Sequence, residues 1–188
     1  MRNALLLHGK PSKEGYYNPD RESQSNEHWF PWLQHELIIR DILTQTPEWP
    51  KPFEPVYKDW LNLFRRFEVN EESTLVGHSC GGGFLIRWLS DTDIKIDKLI
   101  LVAPWLDPEN TIQDKTFFDF KIDKNLKNKV NEIHILSSDD DSPNVLKSVK
   151  TLKGSIDGYK YHEFKKYGHF CYGDMNTREF PELLELII

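Results

Sequence analysis

Residues 73–83 read STLVGHSCGGG, and this stretch restricts the fold more tightly than any other in the chain. A short apolar strand pattern, Ser73-Thr74-Leu75-Val76, runs into Gly77-His78-Ser79-Cys80-Gly81. Further glycine follows, then the helical stretch Phe84-Leu85-Ile86-Arg87-Trp88-Leu89. The reading is strand, tight turn and helix, with a serine at the apex. Glycines two residues before and two after the serine let strand and helix approach closely and leave the serine exposed above a sheet. The Cys80 amide then stands at a helix N-terminus, where it can donate to an oxyanion.

Alone, the pattern G-x-S-x-G carries little weight. With glycine near its usual ~7% frequency, it arises by chance in roughly one chain in ten to twenty of this length. Context changes the odds, because a serine nucleophile needs a base and the base needs an orienting acid. In this arrangement they come later in the chain, in the order Ser, Asp, His, each just after a strand. Both are present. Glu132-Ile133-His134-Ile135-Leu136-Ser137 reads as a buried strand and is followed by Ser138-Asp139-Asp140-Asp141. Tyr159-Lys160-Tyr161-His162-Glu163-Phe164 alternates like a strand and is followed by Tyr167-Gly168-His169-Phe170.

The rest of the chain supplies the sheet this turn requires. At 188 residues a single domain spanning residues 1–188 is expected, large enough for a substantial core. Strands and helices alternate throughout, which argues for an α/β fold: a mostly parallel six-stranded sheet with helices on both faces. The first strand is Asn3 to Leu7, and the loop over residues 9–26 is polar and holds Pro11, Gly15 and Pro19. A helix is predicted from near Trp29 to Pro31 through Arg40, with Trp32, Leu33, Leu37 and Ile38 as its stripe. A short strand follows at Asp41 to Gln45. The group Pro47, Pro50, Pro52 and Pro55 marks a loop, with Pro55 in the first turn of the next helix. Val56, Trp60, Leu63, Phe64 and Phe67 share that helix's inner face. Lys98 to Ala103 is a continuous apolar run, as expected of a central parallel strand. Residues 104–129 are irregular. Ser142-Pro143 reads as N-cap and N1 of a helix continued by Val145, Leu146, Val149 and Leu152, and a last helix is predicted from Thr177 to Ile188.

Bulk properties narrow the partners. The net charge of −6 argues against nucleic acid or an anionic membrane, since like charges repel. The apolar run Ala4 to Leu7 is too short for a secretion signal, and no stretch approaches a membrane span. The two cysteines do not suggest a disulfide framework, so a cytoplasmic location is expected. Aromatics make up 13% of residues, enough to suggest that some rings line a pocket.

Several motifs together carry a family resemblance. They are Leu7-His8-Gly9, Trp29-Phe30-Pro31-Trp32-Leu33, Val76-Gly77-His78-Ser79-Cys80-Gly81-Gly82, Leu101-Val102-Ala103-Pro104, Ser138-Asp139-Asp140-Asp141 and Tyr167-Gly168-His169-Phe170. In their order and spacing the chain resembles the small serine hydrolase family of the α/β-hydrolase superfamily, which includes retinoblastoma-binding protein 9 and the bacterial YdeN-like hydrolases. The resemblance spans nearly the whole chain. It implies a minimal, lidless α/β-hydrolase with Ser79 as nucleophile and His169 as base. The family's acid follows a serine and two further residues. Counting from Ser138 gives Asp141, and from Ser137 gives Asp140. Asp141 is the first choice because Ser142-Pro143 starts the next helix, with Asp140 second.

The chemistry so implied is two-step acyl transfer on a small-molecule acyl substrate, with small esters leading, through an acyl-enzyme on Ser79. The oxyanion donors would be the Cys80 amide and a second amide after the first strand, from Gly9 or Lys10. No cofactor or metal is expected, since His28 and His35 lack a carboxylate or cysteine constellation of metal-site spacing. Thioester and amide hydrolysis share the same acyl-enzyme and stay open. A protein-binding module on this fold is the competing class, but a pure binder has no need for all three of Ser, Asp and His. His8 and His78 are expected to be structural. Cys80 and Cys171 are expected to be small buried residues, and the rest of the aspartate run to be solvated. Trp29, Trp32, Trp60 and Trp88 are core candidates, whereas Trp105 is the candidate pocket wall.

Overall fold

In the computed structural model, which describes residues 2–188, six strands form one sheet in the order β2-β1-β3-β4-β5-β6. The strands are β1 (Asn3–Leu7), β2 (Leu43–Gln45), β3 (Ser73–His78), β4 (Ile96–Val102), β5 (Val130–Ser138) and β6 (Tyr159–Phe164). Every neighbouring pair is parallel. The helices are α1 (Lys13–Tyr16), α2 (Phe30–Ile38), α3 (Tyr57–Phe64), α4 (Cys80–Ser90), α5 (Pro143–Ser155), α6 (Tyr172–Met175) and α7 (Pro181–Ile187).

Strand composition follows strand position. β1 and β3 are buried along their whole length between two helical layers, with the polar Asn3 and His78 at their ends. Leu5, Leu6 and Leu7 are each at most 1% exposed, and each contributes roughly 1.5–3 kcal/mol by burial. The edge strands are different. β2 is three residues long with only Thr44 buried, and β6 has no buried residue.

The winding creates the crevice. The chain leaves β1 for β2 on one side, then crosses back over β1 to β3 and steps outward to β6. Right-handed crossovers put α2 on one face and α3, α4 and α5 on the other. α7 returns to pack against α2. The strand order therefore reverses between β1 and β3, where the connections depart to opposite faces and leave a crevice at the carboxyl ends. His8-Gly9 follows β1 there, and Ser79 follows β3.

The aromatic residues lie mostly in the core rather than along a pocket. Trp49 stacks on Trp60 at 4.3 Å, with Phe84 and Phe117 against the pair. On the α2 face, Trp29 stacks on Phe30 at 4.2 Å, and Phe170 stacks on Phe180.

Element boundaries moved where tertiary contacts overrode local signals. α3 starts at Tyr57, two residues beyond Pro55, because the Asp114 carboxylate accepts the Tyr57 amide at 2.9 Å. Its buried face is Tyr57, Trp60 and Phe64, while Val56 is exposed. The buried stripe of α2 is Phe30, Leu33 and Leu37, with Ile38 in solvent. The last helix is split. α6 ends at Asn176, whose φ of 53° breaks the turn, and α7 restarts at Pro181. Residues 104–129 hold only a single 3₁₀ turn, and the Asp107 carboxylate organises their first part by accepting the amides of Thr111 and Ile112.

Candidate active site

Ser79 is the single residue between β3 and α4, and it has φ 55° and ψ −122°. A non-glycine residue held there is strained by about 1–3 kcal/mol. The strain persists because β4 and its following loop pin both ends of the residue. The Ser79 amide donates to the Val102 carbonyl at 2.9 Å, and the Ser79 carbonyl accepts from the Trp105 amide at 3.0 Å and the Gly82 amide at 3.0 Å. α4 also presses hard on the end of β1. A methyl group on Gly81 would lie 2.5 Å from the Leu7 carbonyl oxygen and 2.6 Å from that of His8, so only glycine fits. The Cys80 amide, first in α4, has no intrahelical acceptor and stands beside the serine.

The acid loop leaves β5, and its three aspartates point to three different places. The Asp141 side chain is 1% exposed and faces His169, with Nδ1 at 3.0 Å from Oδ2 and 3.2 Å from Oδ1. Asp141 Oδ1 also accepts the Ser142 amide at 2.6 Å. Asp140 turns away. Its Oδ1 accepts from Ser138 Oγ at 2.6 Å and from the Gly168 amide at 2.9 Å, and these bonds hold its carboxyl below the usual range. Asp139 accepts the Lys166 amide at 3.0 Å. The run is therefore not merely solvated around one working member. Asp139 and Asp140 tie down the loop that carries His169, because that turn leaves its own amides without strand or helix partners.

Other side-chain bonds complete this loop. Ser138 Oγ accepts the Tyr167 amide at 2.9 Å, and Asp174 accepts the His169 amide at 2.9 Å. From the two residues before α2, Trp29 Nε1 donates to the Phe170 carbonyl at 3.1 Å, and His28 Nδ1 accepts the Tyr172 amide at 3.2 Å. From the serine turn, His78 Nε2 lies 2.7 Å from the His169 carbonyl. The sequence assigns Trp29 and His78 to packing and gives His28 no metal-binding role. No periodicity links residues more than ninety positions apart, so this clamp had no local signal.

Two cavities open on the serine. The larger, about 680 Å³, is walled by charged side chains, including the ion pairs Arg21–Glu27 at 3.0 Å and Arg178–Glu22 at 2.8 Å. The smaller, about 420 Å³, is lined by Trp105, Thr111, Val145 and Asp141. Ser79, His169 and Lys10 border both. Gly9 abuts the serine so closely that a methyl there would lie 2.7 Å from Ser79 Cβ. His8 sets the orientation of this segment. Its Nδ1 donates to the Gly9 carbonyl at 2.8 Å, and its Nε2 accepts the Trp49 amide at 3.1 Å. Gly9 O thus faces the His8 ring, and in a trans peptide the Lys10 N–H points the opposite way.

Burial pushes the Cys171 thiol up to about 12 and the Cys80 thiol higher still, so both are protonated at neutral pH. The histidines go the other way. Burial lowers His8, His28, His78, His134 and His162. Unfolding therefore takes up protons as pH falls. The stability these groups support is complete above the unfolded value of about 6.5 and is lost as pH falls through the folded values. We expect the urea midpoint to drop between pH 7 and pH 5, with a slope of about 1.4 kcal/mol per pH unit for each proton taken up. The fully buried His8 and His78 should dominate. A flat midpoint over that interval would contradict the burial argument.

Comparisons with known proteins bear on the family and the fold. The Serine hydrolase family model matches residues 15–183. YdeN of Bacillus subtilis (strain 168) is 27% identical over 169 residues, covering 85% of this chain and 86% of that protein. The crystal structure of the B. subtilis ydeN gene product superposes with a TM-score of 0.79 at 23% identity, over 100% of this chain and 97% of that one. Est1E from Butyrivibrio proteoclasticus, solved with ferulic acid bound, has a TM-score of 0.65 at 14% identity, covering 100% of this chain and 86% of its own. These structural likenesses bear on the fold alone. Among the described residues no helix is long and apolar enough to cross a membrane. With an α/β-hydrolase sheet, a strained serine at the end of β3 and a family match over most of its length, the chain belongs to the serine hydrolase family.

Proposed function

We propose that the protein hydrolyses small carboxylic esters through a Ser79-His169-Asp141 triad. The observation that carries the reading is the Asp141 carboxylate on His169 Nδ1 at 3.0 Å, with His169 and the strained Ser79 lining the same two cavities. With Nδ1 committed to Asp141, Nε2 is the nitrogen left for the serine. His169 Nε2 takes the proton from Ser79 Oγ as Oγ bonds to the ester carbonyl carbon. The resulting oxyanion is held by the Cys80 amide and by the Lys10 amide, whose direction is favoured over Gly9's by the His8 bond to Gly9 O. The C–O bond of the ester then breaks, and the imidazolium returns the proton to the leaving alkoxide. Water repeats the sequence, releases the acid and regenerates Ser79. The partly exposed imidazole and the buried carboxylate suit these roles, since the base must reach substrate while the acid works best dehydrated.

The walls favour a small acyl group. Each buried methylene contributes about 0.8 kcal/mol only where it meets apolar surface. The larger cavity carries two ion pairs along its wall, and the smaller one has room for a compact group beside Trp105 and Val145. A fluorophosphonate probe is expected to label the native protein at Ser79, read by peptide mass spectrometry. On p-nitrophenyl esters, kcat/KM for acetate is expected to exceed that for dodecanoate by at least about tenfold. An unlabelled, folded protein would sink the mechanism. A steady rise with chain length would sink the small-ester reading.

A further inference from the structure

The side chain of His169 is held by Asp141, but its backbone carbonyl is held from the serine turn. His78 immediately precedes Ser79, and its Nε2 lies 2.7 Å from the His169 carbonyl, with the two rings 4.9 Å apart. A carbonyl only accepts, so Nε2 carries the proton and His78 donates. The carbonyl has no strand or helix to serve it. Gly168 and Phe170 flank His169 with φ of 50° and 58°, and the chain turns too sharply for either. Its other donor is the Cys171 thiol at 3.7 Å, a weak one.

His78 is built into place on every side. Its backbone pairs with Val102 of β4, the residue that also accepts the Ser79 amide. Its ring sits among those of Trp29, Phe30 and His28. Burial, and after it the neighbouring imidazoles His169 and His28, keep it neutral. Neutrality suits the place, because the mechanism above makes His169 a cation during turnover and a second charge beside it would oppose that.

We propose that His78 is a positioning residue: through its bond to the His169 carbonyl, the residue next to the nucleophile sets where the base stands. The proposal rests on the triad reading above. Nucleophile and base then share one anchor at the end of β3, and a displacement of roughly 1 Å at a reacting group can lower the rate about 10²-fold.

The test compares native protein with His78→Ala, His78→Met and His78→Gln. Met fills the space without a donor, whereas Gln keeps an N–H where Nε2 stands. The readouts are kcat and KM on p-nitrophenyl acetate, the rate of fluorophosphonate labelling, and circular dichroism. We expect Ala and Met to lower kcat and labelling rate about 10- to 100-fold, with KM changed less than about threefold. Gln should recover most of the loss. Should Ala fail to fold, Met against Gln carries the comparison. Native rates in Met, or a folded Gln variant as slow as Met, would overturn the positioning role and leave the hydrolase intact. Absence of labelling in the native protein would overturn the triad and this role with it.

Discussion

Ser79→Ala is expected to lower kcat on any accepted ester by about 10⁶-fold and to abolish fluorophosphonate labelling. The hydroxyl is the only atom in the proposed mechanism that bonds to substrate, and neither nearby thiol can replace it. Burial keeps Cys80 and Cys171 protonated at neutral pH. Residual turnover should come from the oxyanion donors and binding alone. Ser79→Gly separates chemistry from folding. It should be as inactive as the alanine variant, yet more stable by about 1 kcal/mol, because glycine accepts φ 55° without the strain that serine carries. Retention of a hundredth of native activity in either variant would remove Ser79 from its role. A fall in Tm for the glycine variant would contradict the strain argument.

Asp141→Asn is expected to lower kcat by about 10⁴-fold, and Asp140→Asn by less than about tenfold. The hydrogen bonds give the reason. Asp141 Oδ1 accepts the Ser142 amide at 2.6 Å, so an asparagine there keeps its oxygen on that amide and turns its NH₂ toward His169 Nδ1. His169 must then carry its proton on Nε2, facing the serine, where it cannot act as a base. Asp140 accepts from Ser138 Oγ and the Gly168 amide, and an asparagine oxygen can accept both. Steady-state kinetics on the two variants, with circular dichroism to confirm folding, decides the matter. The reverse ranking would reassign the acid.

Much of this arrangement was legible before any coordinates. The glycine spacing around Ser79 announced a strand-turn-helix, because only glycine tolerates the approach of α4 to β1. The apolar runs Ala4 to Leu7 in β1 and Leu99 to Val102 in β4 announced buried parallel strands, since both faces of such strands are covered. His169 was marked by its place after the last strand. Where local signals competed with distant partners, reading from sequence fell short. Pro55 looked like a helix start until the Asp114 carboxylate, from a loop far along the chain, capped Tyr57 instead.

The aspartate run shows the division most clearly. Sequence alone determined that an acid leaves β5 near residues 139–141, because strand periodicity ends there. It left Asp140 and Asp141 in competition, since adjacent residues in a turn diverge by angles that composition does not record. The tertiary structure decided that Asp141 faces the imidazole while Asp139 and Asp140 hold its loop. It alone also joined His28, Trp29 and His78 to the backbone around His169. Period and spacing are properties of neighbours along the chain, and they specify elements. A hydrogen bond between residues more than ninety positions apart exists only once the sheet has brought its two ends together.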